Sequence, residues 1–450
     1  MLNKLIAKYV GYPIQDLVKG TNIINELSFL RKSQYWDEDR IYEYQLKKLR
    51  GLISYSKKNV PYYDDLFKKI KITKNDIKTL NDINKIPILT KEIMRKNGNK
   101  LLSRNYKKYK LKKGKTGGTT GVPVLVYKDT ANRSFTWASY YRWYDWMGIH
   151  YSDKILTFWG ANTVLSESLI NKLYSNLHQS FQNEIFINSF KMNESDMEQI
   201  ANIIFKNKPV CIKGYLSAII KFAEFVDRKK YSFTFIRAIS TTTETLLPHN
   251  RKYIESIFNA PVFDQYGCGE VSSISFECAQ HNGLHINQEH VICEVLDNND
   301  QLIINSTGRV VATDLDNYVM PFIRFETGDM ATLSNEKCSC GIKHPLMKSI
   351  EGRSIDTIVL KDGNHVHGVF FTDILYELNI LADQIQRFQI YQEVPGSIEF
   401  RIERVKELEV STLIKIENVF LNFLNEVKVI EMDELPLSKS GKFSYIVNNI

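Results

Sequence analysis

Five short segments hold residues whose types and spacing suit the chemistry of anions. Lys115–Pro123 reads KTGGTTGVP. Its glycines let the backbone approach a phosphate closely, and its N–H groups and threonine hydroxyls can meet the phosphate oxygens. No GK[ST] closes the segment, so it is neither a Walker loop nor a dinucleotide G-x-G-x-x-G; the plain alternative is an ordinary turn. Asp264–Glu270 reads DQYGCGE at the end of a predicted strand, where open α/β sheets bind ligands. Glu270 is a hard-oxygen candidate for the Mg²⁺ that accompanies a nucleotide, against a strand-ending turn with a solvated carboxylate. In MPFIRFETGDMATL, residues 320–333, the Thr327-Gly328-Asp329 turn offers a carboxylate to two adjacent hydroxyls, as on a ribose, unless it is a simple hairpin. EGRSIDTIVLKDG follows at 351–363, and LPLSKSGKFSYIV at 435–447 sets Lys442 after a flexible Ser-Gly. A lone lysine there would by itself be surface charge.

The cysteines form a second group. Six in 450 residues are too few for a disulfide scaffold, and the N-terminus, broken by Lys4 and Lys8, lacks a signal-peptide core. No run approaches the roughly 18 apolar residues of a membrane span. A cytoplasmic protein with reduced thiols is expected. Cys278-x-x-His281 and Cys338-x-Cys340 flank one β-rich segment, a spacing that suits a four-coordinate structural Zn²⁺. The fourth ligand is left open between His281 and His285, and the alternative is a set of buried free thiols. Cys211 and Cys293 read as core, and Cys268 as a residue lining the YGCGE turn.

The elements that must position these residues follow from periodicity. Residues 1–100 read as helix and loop, with a helical stripe (Ile41, Tyr44, Leu46, Leu49, Leu52, Ile53) between Asp37 and Lys58. From 150 to 265, apolar runs (KILTFWG, EIFINSF, PVCIKGY, FIRAIS, PVFDQYG) alternate with helical stretches (166–180, 194–207, 216–230, 248–258), the pattern of a largely parallel α/β layer. An aromatic helix over 133–147 puts Trp137, Tyr141 and Tyr144 on one face, a core-packing pattern that could also line an acyl pocket. After 285 come β-rich runs at 290–297, 301–306 and 309–315, and then a small α+β unit with strands at 388–394 and 397–405 and a helix over 410–427. A boundary is expected near Gly352.

Composition sets limits but does not choose. Hydrophobic residues make up 43% and charged residues 24%, as in ordinary globular proteins, which excludes disordered and fibrous classes. The net charge of +8, from 59 Lys+Arg against 51 Asp+Glu, implies no nucleic-acid partner when spread over this length. Six lysines nevertheless lie between Lys107 and Lys115, just ahead of the Gly/Thr loop. They are either a strip that concentrates a polyanionic nucleotide or a solvated strand entry. No G-x-S-x-G is present, so a hydrolase triad has no support.

The order of the segments carries more than any one of them. Gly/Thr loop, YGxxE, xTGD, GRxxD and PxxxSGK follow one another over residues 116–442, and in this the chain resembles the adenylate-forming superfamily. VPYYDDLF (60–67), GYLS (214–217) and CxCG (338–341) are similar to its phenylacetate-CoA ligase branch, and within that to the capsular-polysaccharide (CapK-like) members. The resemblance covers essentially the whole chain. It implies an α/β and α+β multidomain fold: an acyl-CoA synthetase-like N-terminal domain over 1–352, made of α/β subdomains and a distorted β-barrel, and a small mobile α+β lid over 353–450.

The resemblance also implies roles. Thr116, Gly117, Gly118, Thr119, Thr120 and Gly121 would wrap the ATP phosphates. Thr243 and Glu244 would lie beside the adenine, with Tyr266 and Gly267 near the base. Glu270 would hold Mg²⁺, Asp329 would bind the ribose, and Arg353 would support the ribose and phosphate side. Asp356 would be the hinge, and Lys442 would meet both the substrate carboxylate and the α-phosphate. Val124 after Pro123, Gly269 and Ile355 depart from the usual pattern. The implied activity is AMP-forming: ATP activates a carboxylic acid, and the acyl group passes to CoA or to an amine such as an amino sugar, with a homodimer as one implied assembly. The competing reading is a non-catalytic nucleotide- or polyphosphate-binding protein with a structural zinc.

Overall fold

The computed structural model describes residues 2–115, 125–159, 183–189, 192–353, 357–363, 365–367, 371, 385–404, 408–436 and 443–450. The Gly/Thr loop at 116–121, the helix expected over 166–180, Asp356 and Lys442 lie outside these residues.

Helices over Tyr12–Lys19 and Ile23–Ser33 pack Tyr12, Ile23, Leu27 and Leu30 into the core, and two further helices follow: α1 (Glu38–Asn59) and α2 (Pro61–Lys69). Asp37 starts α1 by accepting the Arg40 N–H at 2.9 Å, an N-cap that satisfies one of the helix's orphan donors. The predicted apolar stripe faces inward: Leu49, Leu52 and Ile53 are wholly buried, and Pro61 gives α2 a preset first turn. A hairpin follows, β1 (Lys112–Lys115) and β2 (Leu125–Lys128), with Lys112 opposite Lys128 and Lys115 opposite Leu125. The Gly/Thr segment is therefore the connection at its tip. The aromatic helix is α3 (Thr130–Trp146), capped by Asp129 on the Asn132 N–H.

The α/β layer matches the expected alternation. Strands β3 (Ile155–Trp159), β4 (Glu184–Asn188), β5 (Cys211–Tyr215), β6 (Ala238–Thr242) and β7 (Val262–Phe263) form a sheet in the order β4-β3-β5-β6-β7. Every pair in it is parallel. The helices α4 (Glu194–Asn207), α5 (Leu216–Lys229) and α6 (Pro248–Phe258) cover one face. Leu156, Phe158, Ile212 and Ile239 point to them, while Ile155, Cys211, Ala238 and Phe263 point to the core under α3. This is the period-2 alternation of a sheet buried on both faces.

The β-rich part is a seven-stranded sheet of β8 (Gln265–Cys268), β9 (Ser272–Glu277), β10 (Leu284–Ile286), β11 (Val291–Leu296), β12 (Thr307–Asp314), β13 (Phe325–Ser334) and β14 (Leu346–Arg353), in the order β11-β12-β13-β14-β10-β9-β8. All its pairings are antiparallel. Register shifts at Arg309/Val311, Met330/Ala331, Thr332/Leu333 and Tyr266/Gly267 bend it, as bulges do. Where a distorted barrel is expected, the end strands β11 and β8 are not paired to each other. The expected strand at 301–306 is reduced to an isolated bridge, Leu296 to Leu302, because Asn305 turns left-handed (φ 58°) and leaves the extended path. Leu46, Leu49 and Phe67 of α1 and α2 pack with Val295, Val310 and Phe325 of this sheet in one core.

Beyond Arg353 come the pair β15 (Thr357–Val359) and β16 (His365–His367), then β17 (Ile385–Val394), β18 (Ser397–Arg404), α7 (Val410–Phe420), β19 (Glu426–Met432) and β20 (Ile446–Asn448). The last four strands form the order β19-β18-β17-β20 around a core of their own, in which Ile416 and Phe420 meet Ile390 and Phe400. The helix expected to reach Val427 stops at Phe420, because Glu426 is already committed to β19, in parallel register with Ser397. Among the described residues no helix is long and apolar enough to cross a membrane.

Candidate functional site

The carboxyl ends of the parallel strands meet the first strand of the antiparallel sheet at Thr242 to Tyr266. Tyr266, buried on β8, points its hydroxyl at Asp329 Oδ2, 2.7 Å away on β13. Thr327 Oγ1 lies 3.1 Å from the same hydroxyl, accepts the Asp329 N–H at 3.1 Å, and donates to the Val310 carbonyl at 3.2 Å. The TGD segment, expected as a tight turn, instead lies inside β13 at the register shift and is locked from both sides. Burial, reinforced by the Asp329 charge, holds the Tyr266 phenol well above its ordinary range, so it stays a donor to the carboxylate. Arg353 is paired across the sheet with Asp329, which places the GRxxD arginine beside the TGD aspartate at the backbone level.

Gly267 permits this geometry. A Cβ at this position would stand 2.0 Å from the Ser272 carbonyl oxygen, so only glycine lets β8 and β9 close at the bulge beside Tyr266. Three residues on, Glu270 is buried at 3% exposure, and its Oε1 has no hydrogen-bond partner among the described residues. An unpartnered buried carboxylate oxygen is costly and suits a cation ligand. Lys128, at the foot of the hairpin carrying the Gly/Thr segment, bonds Ser272 and is in electrostatic contact with Asp314, Cys268 and Glu270; burial pulls its ammonium below the usual lysine range.

At the end of β6, Thr243 is held left-handed (φ 74°), an unfavourable state for a β-branched residue. Glu244 accepts the Ser217 N–H at 2.7 Å and the Ser217 hydroxyl at 2.9 Å, capping the start of α5. Burial raises its carboxyl above the ordinary range, opposed by the Ser217 and Phe443 backbone N–H groups. Asn250 donating to the Tyr445 hydroxyl at 2.9 Å and Lys221 pairing with Glu434 at 3.4 Å tie residues on either side of the last motif to α6 and α5.

The Cys/His residues gather elsewhere, at the turns of three adjacent strands. Cys278 follows β9, His285 lies on β10, and Cys338 and Cys340 lie between β13 and β14. Their four ligand atoms lie within 4.8 Å of one another. Cys278 Sγ is 3.6 Å from Cys338 Sγ, and Cys340 Sγ is 3.3 Å from His285 Nε2. Four bonds of about 2.3 Å at tetrahedral angles need sulfurs about 3.8 Å apart, so the set fits zinc. His285 Nδ1 is 3.1 Å from the His344 carbonyl, which puts the proton on Nδ1 and leaves the Nε2 lone pair facing the thiols. His281 is turned away, 3.3 Å from Glu277 and 3.1 Å from Arg251; of the two histidines the sequence leaves open, His285 joins the cysteines.

Several polar residues carry no motif and escape sequence reasoning. Arg142 of α3, fully buried, donates to Glu289 at 2.8 Å and Asn287 at 2.7 Å, and Glu289 also takes the Ser33 hydroxyl at 2.5 Å. A second buried group, His290, Asp314 and Asp316, is already satisfied: His290 Nδ1 meets Asp316 at 2.8 Å, Lys48 pairs with Asp316, and Asn132 donates to Asp314 at 2.6 Å. The third is Lys213, bonded to Glu184 on the face of the parallel sheet under α3. Its one visible signal is a lysine inside an apolar strand. A separate cleft of about 1260 Å³ opens along α1, lined by Lys47, Arg50, Lys58 and Lys74, and none of the motif residues borders it.

No protein-family model matches the chain. Among curated proteins, CapK of Staphylococcus aureus is 24% identical over 425 residues, covering 91% of this chain and 90% of CapK. Phenylacetate-coenzyme A ligase of Pseudomonas putida is 22% identical over 436 residues, covering 91% and 94% of the two chains. Among solved structures, 2-hydroxyisobutyryl-CoA ligase in a postadenylation state superposes with a TM-score of 0.75 at 16% identity over 93% of each chain. The fold is therefore that of the adenylate-forming acyl-CoA ligases.

Proposed function

We propose that this chain, which belongs to the adenylate-forming superfamily in its phenylacetate-CoA ligase and CapK branch, is an AMP-forming ligase. It joins a carboxylic acid to the α-phosphorus of ATP, releases pyrophosphate, and passes the acyl group from the adenylate to a thiol. One contact carries the reading: Asn250 on α6 donates to the Tyr445 hydroxyl at 2.9 Å. That contact ties the stretch that follows Lys442 in sequence to the helix that follows Thr243 and Glu244. A module that only binds a nucleotide has no use for a motif lysine just ahead of such a tie.

The assigned roles make physical sense together. A carboxylate is a poor partner for a triphosphate because both are anionic. The Lys442 ammonium would offset that repulsion as the carboxylate oxygen attacks the α-phosphorus and pyrophosphate leaves. Thr116–Gly121, at the tip of the β1–β2 hairpin, would hold the outer phosphates through backbone N–H groups. Asp329, oriented by Tyr266 and Thr327, would accept the two ribose hydroxyls, with Arg353 alongside. Bound Mg²⁺ lowers the charge of the triphosphate, and Glu270 would hold it through the oxygen that lacks a described partner.

Cys278, Cys338, Cys340 and His285 would hold zinc as a closed structural clip, since four protein ligands leave no open position. The separate core of residues beyond 353 supports a division into 1–352 and 353–450 with Asp356 as the hinge between half-reactions. The six unpaired cysteines suit a reducing cytoplasm. CoA is the acceptor we favour, on the strength of the relatives' names.

The test is ATP–pyrophosphate exchange against a panel of carboxylic acids. Exchange that depends on an added acid is expected, followed by discharge of the adenylate by CoA. Discharge by amines alone would reassign the acceptor. Nucleotide binding with no exchange for any acid would favour the non-catalytic reading instead.

A further inference from the structure

Lys213 interrupts an otherwise apolar strand. Sheet alternation puts it on the same face as Cys211, under α3. Cys211 is sealed in the aromatic core there. Lys213, nearer the carboxyl edge, is not sealed: its side chain keeps 17% exposure and that of Glu184 keeps 11%. The Lys213 ammonium lies 2.6 Å from Glu184 Oε1 and 3.0 Å from the Tyr144 hydroxyl. Thr157 donates to the same Glu184 oxygen at 2.6 Å. The rings of Trp137 and Tyr144 stand 6.0 and 5.7 Å from the ammonium. Above it, Trp159 and Tyr215 pack at 4.9 Å at the ends of β3 and β5.

Lys213 lies below the candidate site, with Glu184 one step deeper, level with Ile155 and Cys211. Tyr140, one turn before Tyr144, is 3.3 Å from the Gln265 side chain, and Gln265 in turn bonds Thr242. Gln265 precedes Tyr266, and Thr242 precedes Thr243. In register, Lys213 is opposite Ser240 and Tyr215 opposite Thr242. Lys213 therefore sits two residues, about 6–7 Å, beneath the edge where Thr242 and Tyr266 lie.

A largely buried ion pair among aromatic rings is poor stabilisation: well-packed apolar residues would do as well or better. This pair also caps no helix and closes no turn. What it offers is one place with both polarities. Among the described residues, two of the three ammonium protons are engaged, and Glu184 Oε2 has no hydrogen-bond partner. A hydroxyl meets both needs, accepting from Lys213 and donating to Glu184. A methyl meets neither. A carboxylate would be repelled by Glu184, and an ammonium by Lys213.

Resting on the ligase reading above, we infer that Lys213 and Glu184 form the selective floor of the acyl pocket, and that the acid activated here carries a hydroxyl on its acyl chain. Sites built to hydrogen-bond a substrate hydroxyl reject the analogue lacking it far more strongly than apolar pockets separate homologues. The two side chains remain partly open to water, so the expected preference is about 100-fold in kcat/KM.

The experiment is acid-dependent pyrophosphate exchange with matched pairs in which a methyl replaces the hydroxyl: ω-hydroxyalkanoates of increasing length against the corresponding alkanoates, and 4-hydroxyphenylacetate against 4-methylphenylacetate. At least one hydroxy acid should be preferred. The double variant Lys213→Met/Glu184→Met, which removes the pair without stranding a charge, should lose or invert that preference while still exchanging with the methyl acids. If it does not fold, Glu184→Gln should lower the preference about tenfold at unchanged ATP KM. Equal rates within every pair, or a preference that survives in the variants, overturns the selective floor and leaves the ligase intact. No exchange with any acid overturns both.

Discussion

Asp329 and His249 make separable predictions at the scale of single residues. The Asp329 carboxylate is aimed by Tyr266 at 2.7 Å, so Asp329→Asn keeps the volume but removes the charge and replaces one of two acceptor oxygens by an NH₂ donor. ATP KM should rise by about tenfold or more, as expected for a lost charge-assisted hydrogen bond, with little change in melting temperature; an unchanged KM would remove Asp329 from the nucleotide site. His249 lies outside the site. Burial pulls its imidazole down to about 4, while in the unfolded chain it titrates near 6.5. Between these values the unfolded chain binds the extra proton, so stability is lost as pH falls from about 6.5 toward 4. His249→Gln should flatten that part of the stability–pH curve, and a slope equal to wild type would refute the assignment.

At the scale of elements, the turns do more than connect strands. The bulge at Gly267 exists because a side chain there would collide with Ser272, and it aims Tyr266. The turns after β9 and between β13 and β14 bring three cysteines to His285, tying together strands far apart in sequence. Holding zinc there should stabilise this sheet, because a metal bound only by the folded state shifts the folding equilibrium. Purified protein should contain about one zinc per chain, and chelation or Cys338→Ser/Cys340→Ser should lower the melting temperature by several degrees. Metal-free protein with an unchanged melting temperature would count against the clip. His281→Ala should leave zinc content intact, since that ring is turned to Glu277 and Arg251.

The whole-molecule question is how the C-terminal unit reaches the sheet edge. Two contacts, Asn250 with Tyr445 and Lys221 with Glu434, tie residues on either side of the PxxxSGK segment to α6 and α5. Lys442→Ala should reduce pyrophosphate exchange by about 100-fold or more, the scale of losing one charge that stabilises a transition state. Transfer from a pre-formed adenylate to CoA should fall far less, because the lysine's charge is needed when two anions combine. Equal losses in both steps would mean that Lys442 acts through folding or docking.

The amino-acid sequence by itself determined the layer architecture, since strands β3 to β6 and helices α4 to α6 appear where alternation and helical spacing put them, while the run expected as one strand at 261–267 is divided between β7 and β8 of different sheets. Local chemistry suffices there: side-chain periodicity decides which face is buried. It also determined the order of the motifs. What only the tertiary structure decided is which residues meet. His285 rather than His281 joins the thiols because β10 lies between β9 and β14, and no spacing rule encodes that order. Asp329 faces Tyr266 although three strands separate β13 from β8 in the bent antiparallel sheet, and Lys213 reaches Glu184 across β3. The helix expected through Val427 is likewise cut at Phe420, since a parallel partner strand claims residues whose local pattern alone reads as helical.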